Sequence, residues 1–333
     1  MSNYRIRVTR EKDVSFAMAH VDSTAHTVLL NGCWSVTALA GAAAFYQFVT
    51  NLHTVPITGR TQVVVFSRED DTEMGNQHAK EALVGKTIIN NGPRFKMVKD
   101  VATRLVAVAN KIFDPGFHWQ IYLIDDPQVN ACCFMGGKMF VYTGLLDFID
   151  ATVEQGIVTN KYNALATVLG HEISHALARH TAETLSYLPL LIALTVMTLD
   201  STLISSMCTY LWQLPFSRMH EQEADHIGLM LMAAACYDPS EAPKFWEGMK
   251  LLNNNNFDWF STHPADDKRQ RYLEDLVAEA KAFQDKASWC GDMQNKVSKL
   301  IFRRVTRRSA TVGTTHTAEM AAIFDGIKEG EAK

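Results

Sequence analysis

The sequence predicts a mainly helical α+β domain with a small β-sheet, preceded by one transmembrane helix. Three observations carry this: an uncharged apolar run near the N terminus, long stretches with apolar residues at helical steps, and short β-prone runs between them. Of the 333 residues, 47% are apolar and 20% charged, which supplies a core and excludes disorder, collagen and a disulfide mini-protein. A formal net charge of −4 gives no electrostatic footprint for nucleic acid, so no nucleic-acid partner is expected.

Residues 1–27 hold Arg5, Arg7, Arg10 and Lys12 but also Glu11, Asp13 and Asp22, a poor composition for a transit peptide. Residues 28–49 read VLLNGCWSVTALAGAAAFYQFV, with no formal charge. As a helix this run would be roughly 33 Å long, enough to cross a bilayer core. Its late start and its length argue against a secretory signal peptide. Basic residues precede it and the next are Arg60 and Arg68, so the positive-inside rule puts the N terminus on a cytosol-like or matrix face.

Beyond the span, a turn through Pro56 and Gly59 leads to TQVVVF, a short strand, and SREDDTEMGNQHAKEAL opens a helix with acids in its first turn. Val98, Val101, Leu105, Val108 and Ile112 form one apolar helical stripe. Strands are expected at Trp119 to Ile124, Ala131 to Phe134 and Met139 to Thr143, the last two joined by a tight Gly136-Gly137 turn. Helical patterns run from Asn163 through Arg179 and from Glu221 to about Cys236. A second apolar stretch, 185–214, is broken by Pro189 and Asp200 and reads as a buried or interfacial hairpin. The division is therefore 1–27, a span at 28–49, one domain over 50–290 containing that insertion, and a basic tail at 291–333. The six cysteines lack the spacing of a zinc knuckle, and Cys132 and Cys133 read as free buried thiols.

The chemistry is concentrated in His171-Glu172-Ile173-Ser174-His175, an HExxH pattern within a helical segment. Residues four apart share a helix face, so both imidazoles can reach one zinc ion while Glu172 stands beside them as a base. A catalytic zinc needs a third protein ligand, and Glu221 in EQEAD supplies it. Asp225, four residues on, can accept a hydrogen bond from the second nitrogen of a ligating imidazole. Glu223 points away from that face and reads as structural. His263 and Arg269 are candidates for stabilising the charge of a tetrahedral intermediate, each with an ordinary loop or ion-pair role as the alternative. His180, His220 and His226 have no partner four residues away and read as surface or satisfied histidines. The set predicts hydrolysis of peptide bonds with one zinc per chain.

HEISHALARH, SRMHEQEADHIG and FSTHP together resemble the membrane-linked gluzincin peptidases, a group that includes HtpX, BepA and the CAAX prenyl proteases. PITGR from Pro56, the NACCFMGGKMFVYTGLL segment and FWEGM extend the likeness, over about residues 50–290, to mitochondrial inner-membrane metallopeptidases with activity overlapping the m-AAA protease. The resemblance implies a zincin-like fold, the ligands His171, His175 and Glu221, and Glu172 as catalytic base. It implies that the strand Lys138, Met139, Phe140, Val141 and Tyr142 is the edge on which an extended protein or peptide substrate pairs. It also implies that the His263 loop can approach and regulate the metal. A role in inner-membrane protein quality control follows, with a lipid bilayer as partner and the domain facing the intermembrane space; self-association is left open. Cys132-Cys133-Phe134-Met135 departs from the aliphatic-Pro sequence usual at that place. Two other readings compete: a prenyl-protein protease, disfavoured by the single span, and a non-catalytic zinc-stabilised quality-control module, disfavoured by Glu172.

Overall fold

The structure, a computed structural model, describes residues 41–43, 45–188, 215–251, 263, 267–286 and 290. The chain divides into two units, residues 1–52 and 53–333. In the first, residues 41–43 and 45–50 are helical and carry exposed Phe45, Tyr46, Phe48 and Val49. Among the described residues no helix is long and apolar enough to cross a membrane. The expected span at 28–49 lies largely outside the described residues, as do most of the 185–214 insertion and, from 291 on, the basic tail.

The described chain is mainly helical with two small sheets. Strands β1 (Leu52–Thr54) and β2 (Thr61–Val63) form the first, joined by the Pro56–Arg60 turn. Helix α1 (Arg68–Ala82) follows, and its start is dictated locally: Ser67 accepts from the Asp70 N–H and the Asp70 carboxylate accepts from the Ser67 N–H. After the short strand β3 (Ile88–Ile89) comes α2 (Gly92–Phe113), with a proline in its first turn and Asp114 in the left-handed region at its end. The predicted stripe of α2 faces inward: Val98, Val101, Leu105 and Val108 are buried.

Strands β4 (Gln120–Ile124), β5 (Ala131–Phe134) and β6 (Lys138–Tyr142) join β3 in a four-stranded sheet of order β3-β4-β6-β5. Strand β4 runs parallel to β6, while β5 is antiparallel to it, with Ala131 opposite Val141 and Phe134 opposite Lys138. Gly136 and Gly137, at φ 71° and 82°, make the expected tight turn between them. This order corrects one expectation: Lys138 to Tyr142 is not an edge, because β6 is hydrogen-bonded to a neighbour on both sides. The edges of this sheet are β3 and β5, and β5 is the one beside β6. Alternation alone could not distinguish the two, since both are short apolar runs flanking one turn.

The helical layer holds α3 (Thr143–Glu154), α4 (Lys161–Leu177), α5 (His180–Ser186), α6 (Pro215–Ala234), α7 (Glu241–Leu251) and α8 (Asp267–Lys286). Helix α4 is buried almost all round, as its apolar composition requires. It packs against α6, α2, α7 and β5, and α8 covers α6. A disulfide joins Cys236, just past α6, to Cys290, while Cys132 and Cys133 are free. Burial raises the Cys132 thiol to about 12.

Candidate active site

Helix α4 carries His171, Glu172 and His175; α6 carries Glu221 and Asp225. The two helices touch at backbone distance where Gly170 meets Gly228. A Cβ on Gly170 would stand 2.9 Å from the Gly228 carbonyl oxygen, and one on Gly228 would stand 2.8 Å from the His171 nitrogen. Only residues without a side chain permit that approach, and it brings the α6 carboxylates against the α4 imidazoles.

The convergence is tight. His171 Nε2 lies 3.1 Å from His175 Nε2, 3.3 Å from Glu221 Oε2 and 3.2 Å from His263 Nδ1. His175 Nε2 is 3.4 Å from Glu221 Oε1, and His263 Nδ1 is 3.0 Å from the same oxygen. Ligands at about 2.05 Å around a tetrahedral zinc ion would be about 3.3 Å apart. These donors therefore fit zinc in both type and spacing.

Tautomers strengthen the fit. His171 Nδ1 sits 3.0 Å from Asp225 Oδ1, and an ionised carboxylate only accepts, so the ring donates there and turns its Nε2 to the cluster. Asp225 is itself held by Arg269, whose Nε and Nη2 donate at 2.7 and 3.0 Å. Burial works to raise the Asp225 carboxyl, but Arg269 and His171 outweigh it and hold it low. The same competition at His171 is won by Asp225 and Glu221, which bring its pKa to about 9. His175 falls to about 4 through burial. Glu221 stays well below the usual carboxylate range because His263, His175 and His171 outweigh its burial. An ionised carboxylate facing clustered imidazole nitrogens is a cation site.

Glu172 is buried and receives the Cys133 backbone N–H, which ties it to the edge strand. Its Oε1 has no hydrogen-bond partner among the described residues and lies 3.4 Å from His263 Nε2. Burial raises the Glu172 carboxyl above its ordinary range. A buried carboxylate oxygen left without a hydrogen bond beside a cluster of possible metal donors is placed where it could take a proton.

His171, Glu172, His175, Glu221 and Asp225 are brought together as expected. His263 joins them, at the fourth corner of the donor set. Arg269 also arrives, but its guanidinium grips Asp225 and lies 2.9 Å from Glu221 Oε2, so it works behind the ligands. Lys138 is turned away to donate to the His118 carbonyl at 2.6 Å.

Sequence reasoning missed His180. Its Nδ1 lies 2.8 Å from His175 Nδ1 and its Nε2 lies 3.0 Å from Glu223 Oε2. Five residues along a helix would separate the two rings, but Arg179 takes a left-handed φ of 61° between α4 and α5 and folds His180 back. Glu223 in turn accepts from Thr58 and from Arg60 Nε, and Arg60 also donates to both oxygens of Glu183 at 2.9 and 2.8 Å. His220 meets Glu183 at 2.9 Å and stacks on His180. No spacing rule signals this cluster, because Arg60 lies 163 residues from Glu223 and 123 from Glu183.

Two histidines four apart, a carboxylate from a second helix and an adjacent glutamate define a zinc metallopeptidase. Peptidase family M48 matches residues 93–277, from the start of α2 to the middle of α8. The chain belongs to that family, whose members are zinc metallopeptidases. The mitochondrial metalloendopeptidase OMA1 of Schizosaccharomyces pombe is 33% identical over 258 residues, 74% of this chain and 72% of that one. The mitochondrial metalloendopeptidase OMA1 of Danio rerio is 30% identical over 284 residues, 78% of this chain. This chain spans 57% of that relative's length. The beta-barrel assembly-enhancing protease of Escherichia coli is 26% identical over 242 residues, 67% of this chain and 47% of that one.

Proposed function

We propose that the chain is a zinc metalloendopeptidase of mitochondrial protein quality control, held at the inner membrane by residues 28–49 with its domain in the intermembrane space. The observation that carries the catalytic part is Glu172 Oε1, buried without a hydrogen bond among the described residues beside the His/Glu donor set. A site that used zinc only for structure would have no need of that oxygen, which favours catalysis over a non-catalytic module. The mitochondrial part is supported by the relatives' names and the membrane part by the uncharged 28–49 run.

His171, His175 and Glu221 would hold the ion. When bound, zinc supplies Lewis acidity, activating water near neutral pH and polarising the scissile carbonyl. Glu172 takes the proton of the attacking water and delivers it to the leaving amine. Arg269 and Asp225 keep Glu221 and His171 aimed. His263 stands where a catalytic site keeps room for water, so turnover requires it to swing aside. An extended substrate pairs with the edge strand β5, whose Cys133 N–H already touches Glu172.

The test is cleavage of casein or of a membrane-protein peptide by purified protein. Wild type is expected to cleave in a chelator-sensitive way, and Glu172→Gln to retain zinc without cleaving. Full chelator-sensitive proteolysis by Glu172→Gln would overturn the assignment.

A further inference from the structure

We propose that His180 is a positioning residue for zinc: it fixes the tautomer of His175 and so aims the ligating nitrogen, under the control of Glu223, Thr58 and Arg60. The proposal rests on the zinc reading above. Glu223 is buried and accepts from the Thr58 hydroxyl at 2.5 Å and from Arg60 Nε at 2.7 Å. A carboxylate so engaged only accepts, so His180 Nε2, 3.0 Å away, carries a proton and donates it. In the neutral ring Nδ1 is then an acceptor. Its partner at 2.8 Å is His175 Nδ1, which must donate. The proton of His175 is thereby fixed on Nδ1, and its Nε2 faces Glu221 and His171 with a free lone pair.

The polarity of the whole relay is set at its far end. Thr58 and Arg60 come from the turn between β1 and β2, which lies outside the residues matched to the family. Ile57 within that turn holds φ at 75°, a conformation a β-branched residue adopts only where its surroundings impose it. Arg60 is also clamped to Glu183, so the turn is fastened at two points. A segment more than 100 residues away from the zinc-binding motif thus decides which nitrogen of a ligand carries the proton.

The test is the zinc dissociation constant of the full chain, measured by competition with a chromophoric chelator. His180→Ala is expected to weaken zinc about 10- to 100-fold, the usual cost of losing a partner behind a ligand. His180→Asn puts an amide oxygen at the place of Nδ1, accepts the same proton and is expected to recover most of the loss. The visible spectrum of the cobalt-loaded protein should shift in His180→Ala and return in His180→Asn. Wild-type affinity in His180→Ala, or an equal loss in the two variants, would overturn the proposal. Glu223→Ala gives the same answer where His180→Ala does not fold: it removes the acceptor that holds the His180 proton on Nε2. Unchanged zinc affinity in Glu223→Ala would also overturn it. Absence of zinc from the wild type would instead defeat the zinc reading.

Discussion

The two histidines proposed to hold zinc sit one helical turn apart, yet they are supported in different ways. His171 donates directly to Asp225, a carboxylate on the same helix as Glu221 and gripped by Arg269. His175 leans on another imidazole, and the charge that orients it lies one residue further back, at Glu223. The first support is contained in α4, α6 and α8; the second reaches out to the β1–β2 turn. Direct support keeps a ligand aimed wherever the two motif helices pack. Relayed support makes the other ligand depend on a separate part of the chain.

Removing a ligand should erase both halves at once. Glu221→Ala is expected to lose zinc and peptide hydrolysis together, read as metal content by atomic absorption beside a cleavage assay. Glu223→Ala, two residues on, should retain a zinc site of weaker affinity, because it strikes the His175 half alone. Equal metal loss in the two variants would mean that the halves are not separable.

Arg60→Ala acts on the far half through the fold. It would leave the buried carboxylates of Glu183 and Glu223 without their guanidinium, at a cost of roughly 3–5 kcal/mol. Urea denaturation of the metal-free protein reads that loss. A change below about 1 kcal/mol, the range of an exposed ion pair, would show that solvent already screens the cluster.

Gly228→Ala should disturb both halves equally, since the new methyl would meet the His171 backbone. Overpacking of this kind costs about 1–3 kcal/mol. A lower melting temperature together with weaker zinc binding is the expected result. Loss of stability with zinc affinity intact would mean that the helices can part without moving the ligands.

The near half was legible in the sequence for a physical reason. Period 3.6 puts His171 and His175 on one face and Glu221 and Asp225 on another, and the chemistry of zinc says how many donors must meet. The α2 stripe, the capped start of α1 and the glycine turn between β5 and β6 were legible in the same way, each through interactions within a few residues. The far half was not, because Arg60 meets Glu223 across 163 residues and His180 turns back only through the left-handed Arg179. An arginine gives no hint of such a φ, which glycine or asparagine would have signalled. The edge strand was misassigned for a related reason: which of β5 and β6 lies outside depends on the pairing of β4 with β6, a contact between segments separated by a loop and a hairpin.

The smallest expected effect is the one that separates fold stability from ligand support. Ser67 caps α1, and its carbonyl accepts from Arg179, the residue whose left-handed turn folds His180 back. Ser67→Ala removes the side-chain half of the capping box and should cost about 1 kcal/mol, while leaving that carbonyl in place. Zinc affinity should not change, because no hydrogen bond of either relay passes through the Ser67 hydroxyl. Measured beside His180→Asn and Glu223→Ala, this variant calibrates how much zinc affinity follows from stability alone. If Ser67→Ala weakened zinc as much as Glu223→Ala, the dependence of His175 on its relay would reduce to general loosening of the domain, and the distinction between the two halves would fall.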